Sequence, residues 1–279
     1  MNATGNPVNS PFYLRFWGVR GSFPTASPQQ LGIGGNTACV QLIDGSKDFF
    51  ILDAGTGIRE LGKSIMALDE PPPSIHILFT HFHWDHLQGL PYFLPLYSPN
   101  SNIIFHSAHP PDELRAVLAA QMDYPYFPVL FHQLPAHMEF RHMGLVPHRV
   151  GSVTIENFPL HHPQTSVGFR IVHPQRVAVY ATDHEHGEPV SAELLRERSQ
   201  NADILIYDGQ YTPKEYESRR GWGHSTWREG VHIATGAHVK QLVLFHHDPD
   251  RDDEAVRRIE HEARKEFPAT IAAYEGLIL

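Results

Sequence analysis

A single cysteine, Cys39, leaves this 279-residue chain nothing with which to form an intrachain disulfide. It lies in the apolar run "NTACVQLI", where a small buried core residue is the expected role rather than a nucleophile. Long apolar runs are also missing, and none approaches the length needed to cross a bilayer. The opening "MNATGNPVNSPF" has neither the basic start nor the apolar centre of a secretory signal. A soluble cytoplasmic protein without a membrane partner is expected. Basic charge is short as well: 22 Lys and Arg against 31 Asp and Glu give a formal charge of −9. That balance argues against a surface built to embrace a polyanion such as tRNA. It does not argue against a small phosphate ligand, because bound metal ions reverse the local sign.

Histidine is abundant, with 21 copies, which calls for a metal or an acid–base explanation. Short runs rich in Val, Ile and Phe, bounded by Gly, Pro, Asn or Asp, read as strands. They are "FYLRFWG", "ACVQLI", "DFFILD", "SIHILF" and "NIIFH" in the first half. "VTIENF", "VGFRIV", "RVAVYA", "DILIYD", "QLVLF" and "ATIAAY" follow in the second. Helical patterns lie between them: "TGIRELGKSIM", with Ile58, Leu61 and Ile65 on one face, and "DELRAVLAAQM", with an Asp suited to N-capping. "STWREGVHIATGA" and "DDEAVRRIEHEARKEF" complete the set. The mixture implies an α/β protein of two packed sheets with helices outside. Residues 1–11 read as a loose lead-in, and 12–279 as one domain with no linker. The Pro-rich pieces at 70–74 and 123–135 read as loops. The second is aromatic, suited to a lid, an oligomer contact or simple packing on its own core.

The chemistry concentrates in "THFHWDH". His81 and His83 are two apart and project to the same side of an extended segment. Asp85 and His86 are adjacent, so they diverge and can serve a second centre, and Asp85 also suits the N-cap of a helix continuing through "LQGLPYF". One short turn can therefore hold two divalent ions. Imidazole and carboxylate suit Zn²⁺ first, with Mn²⁺ or Fe admissible.

These residues resemble the metallo-β-lactamase superfamily, whose signature is His-x-His-x-Asp-His after a strand. The resemblance runs from "RFWGVRGS" to "FHHDP" and implies an αβ/βα four-layer sandwich with a dinuclear metal site at one edge. It matches Asp53 in "ILDAGTG" to an acid that orients a ligand histidine without touching the metal. The third histidine falls in "FPLHHPQ", with His162, directly before the proline, preferred over His161. Asp183 in "VYATDHEH" matches the bridging acid, and His246 in "LVLFHHDP" the last ligand, with His247 as its rival. The implied arrangement places His81, His83 and His162 on one metal and Asp85, His86 and His246 on the other. Asp183 and a water lie between, with Asp85 also orienting that water.

A more local likeness is "DILIYDGQYTPKEY…GWGHSTWREG", which resembles the phosphodiesterase branch that includes tRNase Z and cyclic-nucleotide phosphodiesterases. There an acid and the histidine of a Gly-His-Ser-Thr motif act together, matching Asp208 and His224. The resemblance thus implies a metal-dependent phosphodiesterase acting on a small diester such as a cyclic nucleotide. The alternatives are a tRNase Z-like ribonuclease, a thioester or lactone hydrolase, and a non-catalytic metal-binding scaffold or sensor. Only 20 residues separate His162 from Asp183, filled by two expected strands, so the long tRNA-gripping arm of the tRNase branch has no room. Paired subunits are common among such hydrolases, and "YPYFPVLF" is a candidate homodimer contact.

Overall fold

The computed structural model describes residues 12–279, so the lead-in expected at 1–11 lies outside the described residues. The first half runs β1 (Tyr13–Gly18), β2 (Cys39–Ile43), β3 (Phe49–Leu52), α1 (Ile58–Met66), β4 (Ile75–Leu78), β5 (Asn102–Ser107), α2 (Pro111–Ala120) and β6 (His137–His142). The second runs β7 (His148–Val150), β8 (Val153–Leu160), β9 (Ser166–Val172), β10 (Val177–Ala181), α3 (Pro189–Arg198) and β11 (Ile204–Asp208). It continues through α4 (Pro213–Tyr216), α5 (Trp227–Gly236), β12 (Gln241–Phe245), α6 (Asp253–Glu266) and β13 (Thr270–Ala272). The strands form two sheets, one in the order β1 to β6 and one in the order β13 to β7. In the first, β3 to β6 are parallel and β1 to β3 antiparallel. In the second, β10 to β13 are parallel and β7 to β10 antiparallel.

Alternation along each strand builds the layers, because successive side chains leave opposite faces. Leu52, Ile206 and Phe245 enter the core between the sheets, with Phe16, Phe169 and Tyr180. Their chain neighbours Ile51, Leu205 and Leu244 face outward, into the helix layers. On one side Ile51 meets Ile58, Leu61 and Ile65 of α1, the face read from their spacing. On the other, Leu205 and Leu244 meet Trp227 and Val231 of α5 and Ile259 of α6. The result is helix, sheet, sheet, helix: the expected four-layer αβ/βα sandwich. Each fully buried aliphatic or aromatic side chain contributes about 1.5–3 kcal/mol of burial.

Four elements were not legible. β6 and β7 are the outer strands of their sheets. They carry "HMEFRH" and "HRV" with mostly exposed or half-buried side chains, so no apolar run marks them. α3 and the single-turn α4 bury little: Leu195 is buried in α3 and nothing in α4. Two cap assignments are corrected. α2 starts after Pro110, with Asp112 inside its first turn rather than capping it. Asp85 lies within a 3-10 turn, Trp84–His86, whose cap position is His83, and no α-helix follows. In the 123–135 loop Phe131 and Leu134 are buried, and Phe127 packs on the α1/α2 core. None of that loop's residues lines the cleft described next.

Candidate metal centre

The parallel strands of both sheets point their C-terminal ends at one edge, where ligands of open α/β sheets gather. Asp53 follows β3, His81 to His86 follow β4, and His162 follows β8. Asp183 follows β10, Asp208 ends β11, and His246 follows β12. Residues distant in the chain therefore converge on a single point.

They form two groups that share Asp183, His81, His83 and His162 on one side and Asp85, His86 and His246 on the other, and a third of Asp208, His224 and His246 adjoins the second. Within each group the ligand-type atoms lie within 4.8 Å of one another. Asp183 Oδ1 is 3.7 Å from His81 Nε2 and 4.0 Å from His162 Nε2. Its Oδ2 is 3.1 Å from His86 Nε2 and 3.3 Å from His246 Nε2, so its two oxygens face different groups. His83 Nδ1 lies 3.1 Å from His162 Nε2, and Asp85 Oδ2 3.1 Å from His246 Nε2. A tetrahedral ion with bonds of about 2.1 Å sets its ligands about 3.4 Å apart, which matches this spacing.

Two further observations fit a pair of cations. His81 Nε2 is buried with no hydrogen-bond partner, and with the proton on Nδ1 it presents a free lone pair to the cluster. Burial, reinforced by neighbouring imidazoles, holds His81 well below the usual imidazole range and lowers His83 and His162, which keeps all three neutral as ligands must be. Burial alone would raise Asp183 and Asp85, yet the surrounding imidazoles hold both carboxyls well below their ordinary range. His86, opposed by burial, is nevertheless pushed up by Asp183, Asp85 and Asp53. A field that retains a proton there would equally retain a metal ion.

The imidazoles are aimed by their other nitrogens. His86 Nδ1 donates to Asp53 Oδ2 at 2.9 Å. His81 Nδ1 donates to Thr80 Oγ1 at 3.0 Å, and that hydroxyl donates in turn to Asp53. Asp53 also accepts from Tyr180 Oη at 3.0 Å and from the Thr80 amide at 2.9 Å. Asp53 thus orients a histidine of each group without lying in either. His162 Nδ1 donates to the Gly223 carbonyl at 2.8 Å, and His246 Nδ1 to Gln210 Oε1 at 2.8 Å. Gly223 has φ +88°, and a Cβ there would collide with the His162 ring. The rival histidines point elsewhere: His161 Nδ1 donates to the Glu185 carbonyl, and His247, buried, donates from Nε2 to the Ala273 carbonyl.

Beside the cluster, His224 Nδ1 donates to Asp208 Oδ2 at 2.9 Å, and its ring stacks on His246 at 4.9 Å. Burial opposes charge on this imidazole, but Asp208, with Asp183 and Asp85, pushes it up to about 9. His224, His83, Asp85 and Asp183 line one cleft of about 630 Å³. The structure thus brings together every site residue read from the sequence: His81, His83, Asp85, His86, His162, Asp183, Asp208, His224 and His246, with Asp53 behind them.

Other contributors were missed. The Ser22 amide donates to Asp85 Oδ2 at 2.7 Å. Glu185 accepts from the amides of Gly221 and Gly223 at 2.6 and 2.7 Å, fixing the loop that carries His224. Glu185 stands in the same "TDHEH" run as Asp183, so an acid there was visible, but its backbone role was not.

Comparison with known proteins agrees with this geometry. Residues 49–247 match the family described as the Beta-lactamase superfamily domain. A ribonuclease Z of Gemmatimonas aurantiaca is 26% identical over 324 aligned positions, covering 95% of both chains. The metallo-β-lactamase fold protein YhfI of Bacillus subtilis superposes with TM-score 0.72 at 18% identity, over 97% of this chain and 99% of that one. A diphosphatase of the PhnP family superposes with TM-score 0.69 at 20% identity, over 96% and 97%. The chain belongs to the metallo-β-lactamase superfamily and is a metal-dependent hydrolase of that class.

Proposed function

We propose that this hydrolase is a phosphodiesterase acting on a small diester such as a cyclic nucleotide. The observation that carries the reading is His224, held by Asp208 and lining the same cleft as His83, Asp85 and Asp183. Two divalent ions held by those groups would polarise the phosphoryl group and activate water. Imidazole-rich donors that share one carboxylate would suit Zn²⁺, with Mn²⁺ or Fe admissible. Asp85, fixed by the Ser22 amide, orients the attacking water. His224 has Nδ1 committed to Asp208, so its Nε2 is the nitrogen free to protonate the departing oxygen. Asp183 is reached directly through the β9–β10 hairpin, where Val172 pairs with Val177, and no arm extends from this span.

A second reading, a ribonuclease acting on an RNA end, is favoured by the name of the Gemmatimonas relative. The deciding experiment loads the protein with Zn²⁺ or Mn²⁺. It compares cyclic nucleotides, a tRNA precursor, a chromogenic diester, a thioester and a lactone. Turnover confined to the thioester or lactone sinks the phosphodiesterase reading, and turnover confined to the precursor establishes the ribonuclease. No turnover at all promotes a binding role. Metal content, measured in parallel, should be about two ions per chain and fall in His83→Ala.

A further inference from the structure

Two tryptophans flank the cluster with little to cover them. Trp84 is 79% exposed and Trp222 is 62% exposed, yet both line the cleft that contains His83, Asp85 and His224. Trp84 sits inside the ligand motif, between His83 and Asp85, and Trp222 stands two residues before His224. Neither is on a loose segment. The Trp84 carbonyl accepts from the Leu87 and Gln88 amides at 3.0 and 2.7 Å. Trp222 lies between Gly221 and Gly223, whose amides Glu185 holds, and the Tyr216 hydroxyl donates to Glu185 at 3.1 Å. Water-exposed indoles carried on a held backbone, at the mouth of a polar site, offer flat stacking surface to a ligand.

Charge narrows the ligand further. The cleft is also lined by Asp248 and Asp250, and its Arg219 is already paired with Asp248 at 3.2 Å and lies over the Tyr211 ring. Gripping a polyanion takes a row of cations that neutralise successive phosphates. Here Arg219 is taken up by the buried Asp248, and Asp250 adds an exposed negative charge. A volume of about 630 Å³ suits a nucleotide-sized molecule.

We infer that the cleft selects a small, singly charged diester bearing one flat aromatic group, and that Trp84 and Trp222 hold that group. This rests on the phosphodiesterase reading for the chemistry but not for the binding. The test uses metal-loaded wild type, Trp84→Ala, Trp222→Ala and the two Phe variants. Substrates are a nucleoside 2′,3′-cyclic phosphate and the same cyclic phosphate on ribose without a base. Loss of a stacking partner should cut kcat/KM for the nucleoside substrate about 10- to 100-fold, and Phe should recover most of it. The base-free substrate should be indifferent to all four changes. Equal losses on both substrates, or none on either, overturn the inference. Indole fluorescence with the free nucleoside reads base binding without turnover, and its quenching should vanish in the variant with both tryptophans changed to Ala. Quenching in a wild type that cleaves no phosphodiester would retire the chemistry and keep the clamp. Cleavage without quenching or substrate discrimination would retire the clamp alone.

Discussion

Replacing His224 with alanine separates leaving-group protonation from every other step. The ring has one nitrogen tied to Asp208 at 2.9 Å, and it stacks on His246 rather than belonging to either ligand group around Asp183. Its removal should leave metal content intact. Departure of a ribose hydroxyl generates a strongly basic alkoxide, which needs a proton as the bond breaks. A nitrophenolate is stable enough to leave without one. General acid catalysis is worth roughly 10²–10⁴-fold, so His224→Ala should lose about that much kcat on a nucleotide diester. On a bis-nitrophenyl diester the loss should be clearly smaller. Asp208→Asn should show the same contrast more weakly, because the imidazole remains while its tautomer and aim are no longer held. The assay is kcat for the three proteins on both substrates, with metal content by elemental analysis. Equal losses on both diesters would mean that His224 binds the phosphoryl group instead. Loss of metal in His224→Ala would refute the assignment.

Three further outcomes follow from other parts of the structure. Asp53→Asn keeps a residue type that tolerates the left-handed φ of +60° at this position, yet removes the charge facing His86. Metal affinity by chelator competition should fall about 10- to 100-fold, and unchanged affinity would strip Asp53 of its orienting role. His162→Ala and His246→Ala should each lower metal stoichiometry. His161→Ala should not, and His247→Ala should cost folding stability, about 1–3 kcal/mol for a buried carbonyl left unpaired, with stoichiometry unchanged. Metal lost from His161→Ala or His247→Ala would reverse the choice within that pair. His106, outside the ligand groups, lies 3.0 Å from His76, and burial, helped by His76, Arg141 and His148, pushes it from 6.5 down to about 3. The folded form stays neutral while the unfolded chain takes up a proton below pH 6.5, so this contribution is complete above 6.5 and is lost as pH falls toward 3. Between pH 7 and 5 it is worth about 2 kcal/mol. Urea unfolding of His106→Gln should show a flatter acid limb, and an unchanged limb would refute the argument.

What could be read from the residues tracks where burial writes a pattern. The strand "IHIL" before His81 is buried throughout, and its apolar run was plain. α1 was equally plain, because Ile58, Leu61 and Ile65 must face one way. β6 and β7 border solvent at the sheet edges, so their histidines and arginines carry no periodic apolar signal. At the site, the ligand-type side chains were legible as residue types at strand ends. The backbone groups that hold them were not. Nothing in "GVRGS" announces that the Ser22 amide will meet Asp85 from 63 positions away. Gly221 and Gly223 show as loop residues, but not as the donors that Glu185 gathers.

Backbone conformation explains why the cluster sits at these strand ends. Six described residues other than glycine have positive φ, and four of them belong to the site: Ser22, Asp53, Asp183 and His246. Asp53, Asp183 and His246 each follow the last residues of a buried strand, in β3, β10 and β12. A left-handed turn there swings the next side chain out of the pleat alternation and into the gap between the sheets' ends. Holding a residue in such a region costs of order 1 kcal/mol or more, least for Asp, and persists only where the surroundings over-determine it. Here the strands supply that constraint: Leu52, Tyr180 and Phe245, just before these turns, are fully buried in the core between the sheets. The Asp53 carboxylate is then pinned by Thr80, Tyr180 and His86, and His246 by Gln210. The strain is therefore supported by the same core that aligns the two sheets. Loosening that core, for example by Phe245→Ala at about 3–5 kcal/mol, should release the turn at His246 and lower metal affinity without altering any ligand.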